Sequence, residues 1–370
     1  MSIKAIKESL FYPREIYSLL KFKFSSNATT QKLDFIKSNT ERRCYEFLLL
    51  TSRSFAAVIL ELDEELRLPI CLFYLILRGL DTIEDDMSIP LQKKLELLRE
   101  FHNSIQQKGW TFHENGPNEK DAILLQEFDV VIEEFLKLKN EYQQVIIDIT
   151  KKMANGMADF AQRKVESIQD WDLYCHYVAG LVGHGLTRLF SVSGLEDPSI
   201  ADDLELANSM GLFLQKVNII RDYLEDYIDG RCFWPKEIWN KYVEDIGDFT
   251  KEENQSKAVD CLNELCFNAL QHAKDCIKYM SKIKNPSCFN FCAIPQVMAI
   301  STIALVYNNP DVFKKNVKIR KGEAVNLIME SISLDNVVDI FETYSIQIIK
   351  KSVPTDSLFI PISIWYGQVN

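Results

Sequence analysis

Apolar residues recur at threes and fours along nearly the whole chain, the period of an amphipathic helix. Over residues 41–62 the stripe is Tyr45, Leu48, Leu49, Ser52, Phe55, Ala56 and Ile59. Pro69 is expected to open the next helix, since its fixed φ and missing N–H suit a first turn. An apolar run at 70–77 carries that helix to Asp85, and Pro90 opens another over 91–105. The same period predicts helices over 122–138, 141–160, 168–190, 201–227, 253–283, 291–307 and 323–351. Breakers fall at 196–199, 229–235, 285–287 and 308–310, and the polar stretch 113–120 reads as a loop. No repeat of fixed period, low-complexity tract or Gly/Ser-rich linker divides the chain. The pattern therefore predicts an all-α protein: one large helical body over 36–352, a peripheral N-terminal segment 1–35 and a tail 353–370. Two packed helical halves are the alternative.

Composition narrows this further. The 13 Gly and 11 Pro amount to about one residue in fifteen, against roughly one in eight on average, so turn-rich β folds are poor candidates. The net charge of −11 argues against a general nucleic-acid binder, whose affinity rests on Lys and Arg at phosphates. It also sits badly with an anionic substrate. Nine cysteines without any C-x-x-C read as reduced, mostly buried thiols. The first 17 residues mix Lys, Glu and Arg among apolar residues, unlike a secretory signal. No stretch reaches the 18 apolar residues of a spanning helix; the nearest, 291–307, is broken by Gln296, Ser301 and Thr302 and is expected to be buried.

Candidate chemistry lies in a pattern that occurs twice, Asp81-Thr-Ile-Glu84-Asp85 and Asp222-Tyr-Leu-Glu225-Asp226. At i, i+3 and i+4 the three carboxylates share a helix face and repel one another, so something positive should offset them. Hard divalent cations take oxygen ligands, and Mg²⁺ commonly uses one or two carboxylates plus waters and substrate phosphates. A solvated acidic face is the plain alternative, and 61–65 is read that way. Two copies, each after an apolar run and each preceded by an arginine (Arg78, Arg221), favour the metal-binding reading. The five histidines form no H-x-x-x-H pair, and none is assigned to metal. Gly180, Gly183 and Gly185 lack the G-x-G-x-x-G order and read as sites of close helix packing or room for a ligand tail.

The two acidic motifs on separate helices resemble the head-to-head trans-isoprenoid synthases, and the surrounding text is most similar to the squalene synthases among them. The stretches that carry this are 51–57, 73–86, 174–183, 208–216, 218–226, 230–235 and 317–322, in order from about residue 35 to 325. The resemblance implies a single large isoprenoid-synthase (terpenoid synthase) fold with a central active-site cavity. It implies joining of two farnesyl diphosphates to presqualene diphosphate, then NADPH-dependent reduction to squalene, the first committed step of sterol synthesis. Asp81, Glu84, Asp85, Asp222, Glu225 and Asp226 would then hold Mg²⁺ against diphosphate oxygens. Ser52, Arg53, Arg78 and Arg221 match diphosphate-binding positions, which suit arginine's two-pronged donor geometry. Tyr174 matches a proton-shuttling tyrosine, and Phe55 and Phe291 match rings that can face a carbocation. Val178, Leu186, Met210, Cys292 and Pro295 match cavity wall. Tyr74, Arg78, Asn218, Arg231, Lys318 and Arg320 match NADPH-binding positions, the last two in a basic island at 317–321.

Relatives of eukaryotic type end in a membrane helix, with the catalytic body facing the cytosol at the endoplasmic reticulum. This chain ends at Asn370 before any such helix, so a membrane anchor is expected beyond it; family precedent also implies a monomer. The nearest rival is a phytoene- or dehydrosqualene-type synthase, which condenses without reducing. Arg231, Lys318 and Arg320 favour the reductive enzyme. A non-catalytic helical scaffold is the rival from another class, disfavoured because all six carboxylates, Tyr174 and the arginines are present.

Overall fold

Ser38 starts the first helix among the described residues by accepting a hydrogen bond from the Glu41 amide (3.3 Å), as an N-cap serine should. The computed structural model describes Ile36, residues 38–352 and Gly367; most of the expected N-terminal segment and tail lie outside the described residues. The α-helices in order are α1 Asn39–Thr51, α2 Arg53–Leu60, α3 Glu64–Asp85, α4 Leu91–Ser104, α5 Ala122–Gln126, α6 Phe128–Phe135 and α7 Asn140–Phe160. There follow α8 Ile168–Cys175, α9 Leu181–Ser193, α10 Glu205–Arg221, α11 Tyr223–Ile228 and α12 Lys236–Trp239. The last are α13 Gln255–Leu270, α14 Ala273–Met280, α15 Pro286–Val306, α16 Lys321–Glu330 and α17 Leu334–Lys351. Short 3₁₀ turns and one π turn, His176–Gly180, lie between them, and no strand occurs among the described residues.

Most departures from the sequence pattern are breaks inside predicted helices. Ser52 is extended (φ −156°, ψ 106°), ending α1 and capping α2 through a bond from the Phe55 amide. Asp63 caps α3 by accepting from the Glu65 amide (3.3 Å), so Pro69 lies within that helix and does not open it. It forgoes one backbone bond there. The exposed acids Glu61, Asp63 and Glu64 fit a solvated face, but Glu65 is bonded by Lys139 and Tyr142, each at 2.6 Å. Helix 122–138 is divided at Glu127, 201–227 at Asp222, and 253–283 at Gln271 and His272. Asn285 and Pro286, read as a breaker, are instead the cap and first residue of α15, with Asn285 Oδ1 accepting from the Ser287 and Cys288 amides.

The described residues fall into two compact units, one built from 36–163 and 181–204, the other from 164–180 and 205–352. In the first, α3 is the buried axle, contacted by α1, α4, α6, α7 and α9. Gly79 makes this possible: a Cβ there would lie 2.7 Å from the Phe128 ring. In the second unit α10 is central, contacted by α8, the π turn, α13, α14 and α15. Helix α15 is apolar all round and 72% buried, as expected for the 291–307 run, although it is long and apolar enough to cross a membrane. All nine cysteines are free; Cys232 is exposed and the other eight are buried.

Candidate active site

The first acidic motif ends α3, so its orientation follows from the burial of that helix. Arg78 stands one turn before Asp81, its Nε and Nη2 each 3.4 Å from the Tyr74 hydroxyl and its Nε 3.9 Å from Asp121 Oδ2. The Tyr74 ring in turn lies 5.6 Å from that of Phe55, which is 39% exposed. Withdrawal from water, countered by Arg78 and reinforced by Asp85 and Asp121, pushes the Asp81 carboxyl up to about 7. These acids are therefore close enough to repel. Glu84 is half-buried and Asp85 exposed. Asp86 is occupied elsewhere, accepting from Ser88, the Asn115 side chain (3.0 Å) and the Gly116 amide (2.8 Å), which hold it below the ordinary carboxylate range despite burial. Those bonds tie down the loop that delivers Asp121. The Ser52 hydroxyl is used as the α2 cap, and the Arg53 side chain lies outside the described part. Leu186 is half-buried on α9 of the same unit.

The second motif sits at the junction of α10 and α11. Arg221 grips Asp222 with two bonds, Nε to Oδ1 at 2.8 Å and Nη2 to Oδ2 at 2.5 Å. Burial works against the guanidinium's charge, yet Asp222, Glu225 and Asp226 hold it above its ordinary value. Asp226 pairs with Arg231 at 3.2 Å, and Glu225 accepts from Asn316 with Lys318 Nζ 3.9 Å away. Asn218 is exposed one turn earlier, its carbonyl accepting from the Asp222 amide (2.9 Å). Trp234 Nε1 donates to the Ile219 carbonyl (3.1 Å) and the Tyr223 hydroxyl to that of Ile246 (2.6 Å), fixing the 229–235 turn below the motif. Arg320 pairs with Glu323 at 3.0 Å, and Glu323 also accepts from Ser301 and Tyr344.

Tyr174, next to last in α8, has 6% of its surface exposed and its ring stacked on Phe233 at 4.9 Å and 13°. The Arg231 guanidinium lies 6.0 Å from the other ring of that pair, Phe233. The π turn carrying Val178 follows directly, and such turns collect at functional sites. It presses on α10: a Cβ on Gly180 would fall 2.0 Å from Asn208 Oδ1, and one on Gly211 would fall 2.4 Å from the Ala179 carbonyl oxygen. The close-packing reading of the glycines thus holds at Gly180, and at Gly185, where a Cβ would meet Phe73 at 2.5 Å. His176 Nδ1 and Asn208 Oδ1 are 2.7 Å apart. Met210 is buried and its carbonyl accepts from Gln296 (3.1 Å); Phe291 and Cys292 are buried and Pro295 half-buried on α15.

The structure thus gathers Tyr74, Arg78, Phe55 and Asp81 in one unit, and the second motif with Arg221, Arg231 and Lys318 in the other. Four residues escaped the sequence. Asp121, Asn316 and Phe233 reach their partners from distant loops, and no local spacing marks them. Lys216, 1% exposed, has its ammonium 2.6 Å from Asp172, 2.7 Å from Asn268 Oδ1 and 3.0 Å from His272 Nε2, above the Trp171 ring. A lysine inside the apolar run of α10 was the available signal. Burial, with Lys216 beside it, lowers the His272 imidazole to about 3.

Among the described residues no three acids, histidines or cysteines gather to hold a metal unaided. The donor set nevertheless fits a hard cation whose shell other oxygens complete: Asp81, raised chiefly by burial and further by Asp85 and Asp121, stands among oxygen donors, with none of the soft ligands other metals prefer.

The Squalene/phytoene synthase family matches residues 50–323. A squalene synthase of Schizosaccharomyces pombe is 52% identical over 362 residues, covering 96% of this chain and 79% of the relative. That of Homo sapiens is 52% identical over 349 residues, covering 94% and 83%. A solved complex of TcSQS with the ligand E5700 superposes with a TM-score of 0.88 at 46% identity, covering 90% of this chain and 97% of that one. A dehydrosqualene synthase shares the fold at a TM-score of 0.60 and 20% identity, over 82% of this chain and 97% of its own. The helices, the paired acidic motifs and these likenesses agree: the chain has the all-α isoprenoid-synthase fold and belongs to the squalene/phytoene synthase family.

Proposed function

We propose that this chain is a squalene synthase, a transferase joining two farnesyl diphosphates head to head in a Mg²⁺-dependent step and reducing the product with NADPH. The observation that carries it is the crowding of Asp81 with Asp85 and Asp121 beside Arg78, in a chain half identical to curated squalene synthases. In the first half-reaction one diphosphate leaves, a proton is lost and a cyclopropane closes, giving presqualene diphosphate. In the second, the remaining diphosphate leaves, the carbon skeleton rearranges, and a hydride quenches the cation as squalene.

Asp81, Glu84 and Asp85, and likewise Asp222, Glu225 and Asp226, would hold Mg²⁺; bound there, it supplies Lewis-acid stabilisation of charge on each leaving diphosphate. Arg78 and Arg221, with Ser52 and Arg53, would bind diphosphate oxygens and keep each leaving group oriented. Tyr174 would take the proton at its phenolic oxygen. A phenol needs a nearby cation to act as a base at neutral pH; Arg231, 6.0 Å from the Phe233 ring that stacks on Tyr174, or the metal would supply it. Phe55 and Phe291 would face cationic carbon, while Val178, Leu186, Met210, Cys292 and Pro295 would exclude water from it. Tyr74, Arg78, Asn218, Arg231, Lys318 and Arg320 would bind NADPH, which supplies the hydride. The basic 317–321 segment favours this over a condensing enzyme that does not reduce.

On the same reading 36–352 works as one catalytic body, a monomer, at the endoplasmic reticulum membrane; cell fractionation and sedimentation test these points. Incubation with farnesyl diphosphate and Mg²⁺ tests the chemistry. Presqualene diphosphate is expected without NADPH and squalene with it. A C30 product with an extra central double bond in excess NADPH would overturn the reductive assignment.

A further inference from the structure

Every carboxylate of the second motif is matched by a cation or amide of this same chain: Asp222 by Arg221, Asp226 by Arg231, Glu225 by Asn316 and Lys318. Arg231 and Lys318 are also residues assigned above to NADPH. Glu225 is the link of most interest, because its partners come from a segment remote in sequence. That segment is pinned at Val317, which is buried, while Asn316 and Lys318 on either side of it are exposed and meet the same carboxylate. A carboxylate that turns to a divalent cation loses its attraction for an ammonium at the same oxygens. A lysine relieved of its carboxylate is in turn a better partner for phosphate.

We infer that Glu225 is a positioning residue that couples metal to cofactor: without metal it holds Asn316 and Lys318, and when it ligates metal it releases them to NADPH. The inference rests on the assignment of the 317–321 segment to NADPH. Coupling of this kind is reciprocal, so NADPH should tighten metal binding by the same factor. Its size is bounded by exposure: the side chains of Glu225 and Lys318 are 44% and 59% exposed. A pair this wet is worth about a two- to fivefold change in affinity.

The test uses the full chain without farnesyl diphosphate, so that nothing turns over, and reads NADPH affinity from nicotinamide fluorescence in EDTA and in excess MgCl₂. The parent should bind NADPH about two- to fivefold more tightly with Mg²⁺. Glu225→Ala should reach the tighter value in EDTA and gain nothing from Mg²⁺. Asp311→Ala removes an equal charge, one paired with Lys315 and not with Lys318 or Arg231, and should keep the metal response. No metal response in the parent, a Glu225→Ala affinity equal to the parent's in EDTA, or loss of the response in Asp311→Ala would overturn the coupling. Lys318→Met separates this from the underlying assignment. If it binds NADPH as well as the parent, the assignment itself falls; if it weakens binding while Glu225→Ala behaves as the parent, only the coupling falls.

Discussion

The ring of Phe233 lies on that of Tyr174, centroids 4.9 Å apart and planes 13° from parallel. A stacked pair fixes the direction of a phenol that has only two torsions to set. Such pairs contribute about 0.5–1.5 kcal/mol, equivalent to roughly two- to thirteenfold in rate if lost only in the transition state. Phe233→Leu is expected to slow presqualene diphosphate formation by about that factor, with KM little changed, and Phe233→Tyr to restore it. Single-turnover assays without NADPH measure this. An equal loss in both variants, or a pure change in thermal midpoint, would speak for packing alone.

Asp81→Asn and Asp222→Asn should each reduce turnover about 100-fold or more, since each removes a charged oxygen from the groups that would hold Mg²⁺. Both should stay folded. Asn is nearly isosteric, and at Asp81 the change removes the cost of a buried charge and the repulsion from Asp85 and Asp121, which offset the lost attraction to Arg78. Product assays paired with circular dichroism check the two halves of this expectation. Undiminished turnover in either variant would refute the metal-binding role.

His272 gives a pH dependence of defined sign. Its imidazole is lowered to about 3 in the folded chain by burial and by Lys216, against an ordinary value near 6.5. Between those values the unfolded chain binds a proton that the folded chain refuses, so stability falls as pH drops from about 6.5 towards 3 and is fully present above 6.5. His272→Gln keeps an acceptor for Lys216 and removes the titration. It is expected to lose less stability than the parent between those pH values in urea melts. Parallel losses in both proteins would show that His272 is not the group responsible.

Lys216 should matter more for stability than for chemistry. Its ammonium joins α8, α10, α13 and the start of α14 through Asp172, Asn268 and the α14 N-cap residue His272. Lys216→Met leaves Asn268 and His272 without their donor, and Asp172, 44% exposed, is partly rescued by water. A loss of about 2–4 kcal/mol is expected, at the lower side of a fully buried pair. Chemical denaturation measures it; a loss under about 0.5 kcal/mol would show the cluster to be energetically idle.

What the sequence disclosed and what it hid follow from the range of the interactions. The helices were visible because a 3.6-residue stripe is a local property, and so were the acids at i, i+3 and i+4. The breaks were not: the apolar stripe runs straight through Ser52 and Asp222, and only backbone angles reveal them. Pro69 misled because a proline at N1 and one a turn later look alike until Asp63 is seen capping the helix. Asp121 required knowing that Asp86 would bind Asn115 and Gly116 and so tie down a loop that composition marked only as polar. Arg221 was marked by its place just before the second motif and Arg231 by the resemblance, but Asn316 was not marked, since its carboxylate partner lies far along the chain.

Gly211 offers the most local test of how the π turn is held. A Cβ there would fall 2.4 Å from the Ala179 oxygen and 2.6 Å from the Gly180 nitrogen, both backbone atoms, so no side chain can swing away to make room. Either α10 or the π turn must shift, and Tyr174 lies near the end of α8, separated from that turn by Cys175 alone. Overpacking of this kind costs about 1–3 kcal/mol, and the backbone displacement should also move the phenol. Gly211→Ala is therefore expected to lower both the denaturation midpoint and the rate of presqualene diphosphate formation. Gly109→Ala is the contrast, because a Cβ there meets nothing within 4 Å and only its positive φ of 80° is strained. It should lose stability while the reaction rate of the folded enzyme is unchanged; equal rate losses in both variants would deny that the π turn positions Tyr174.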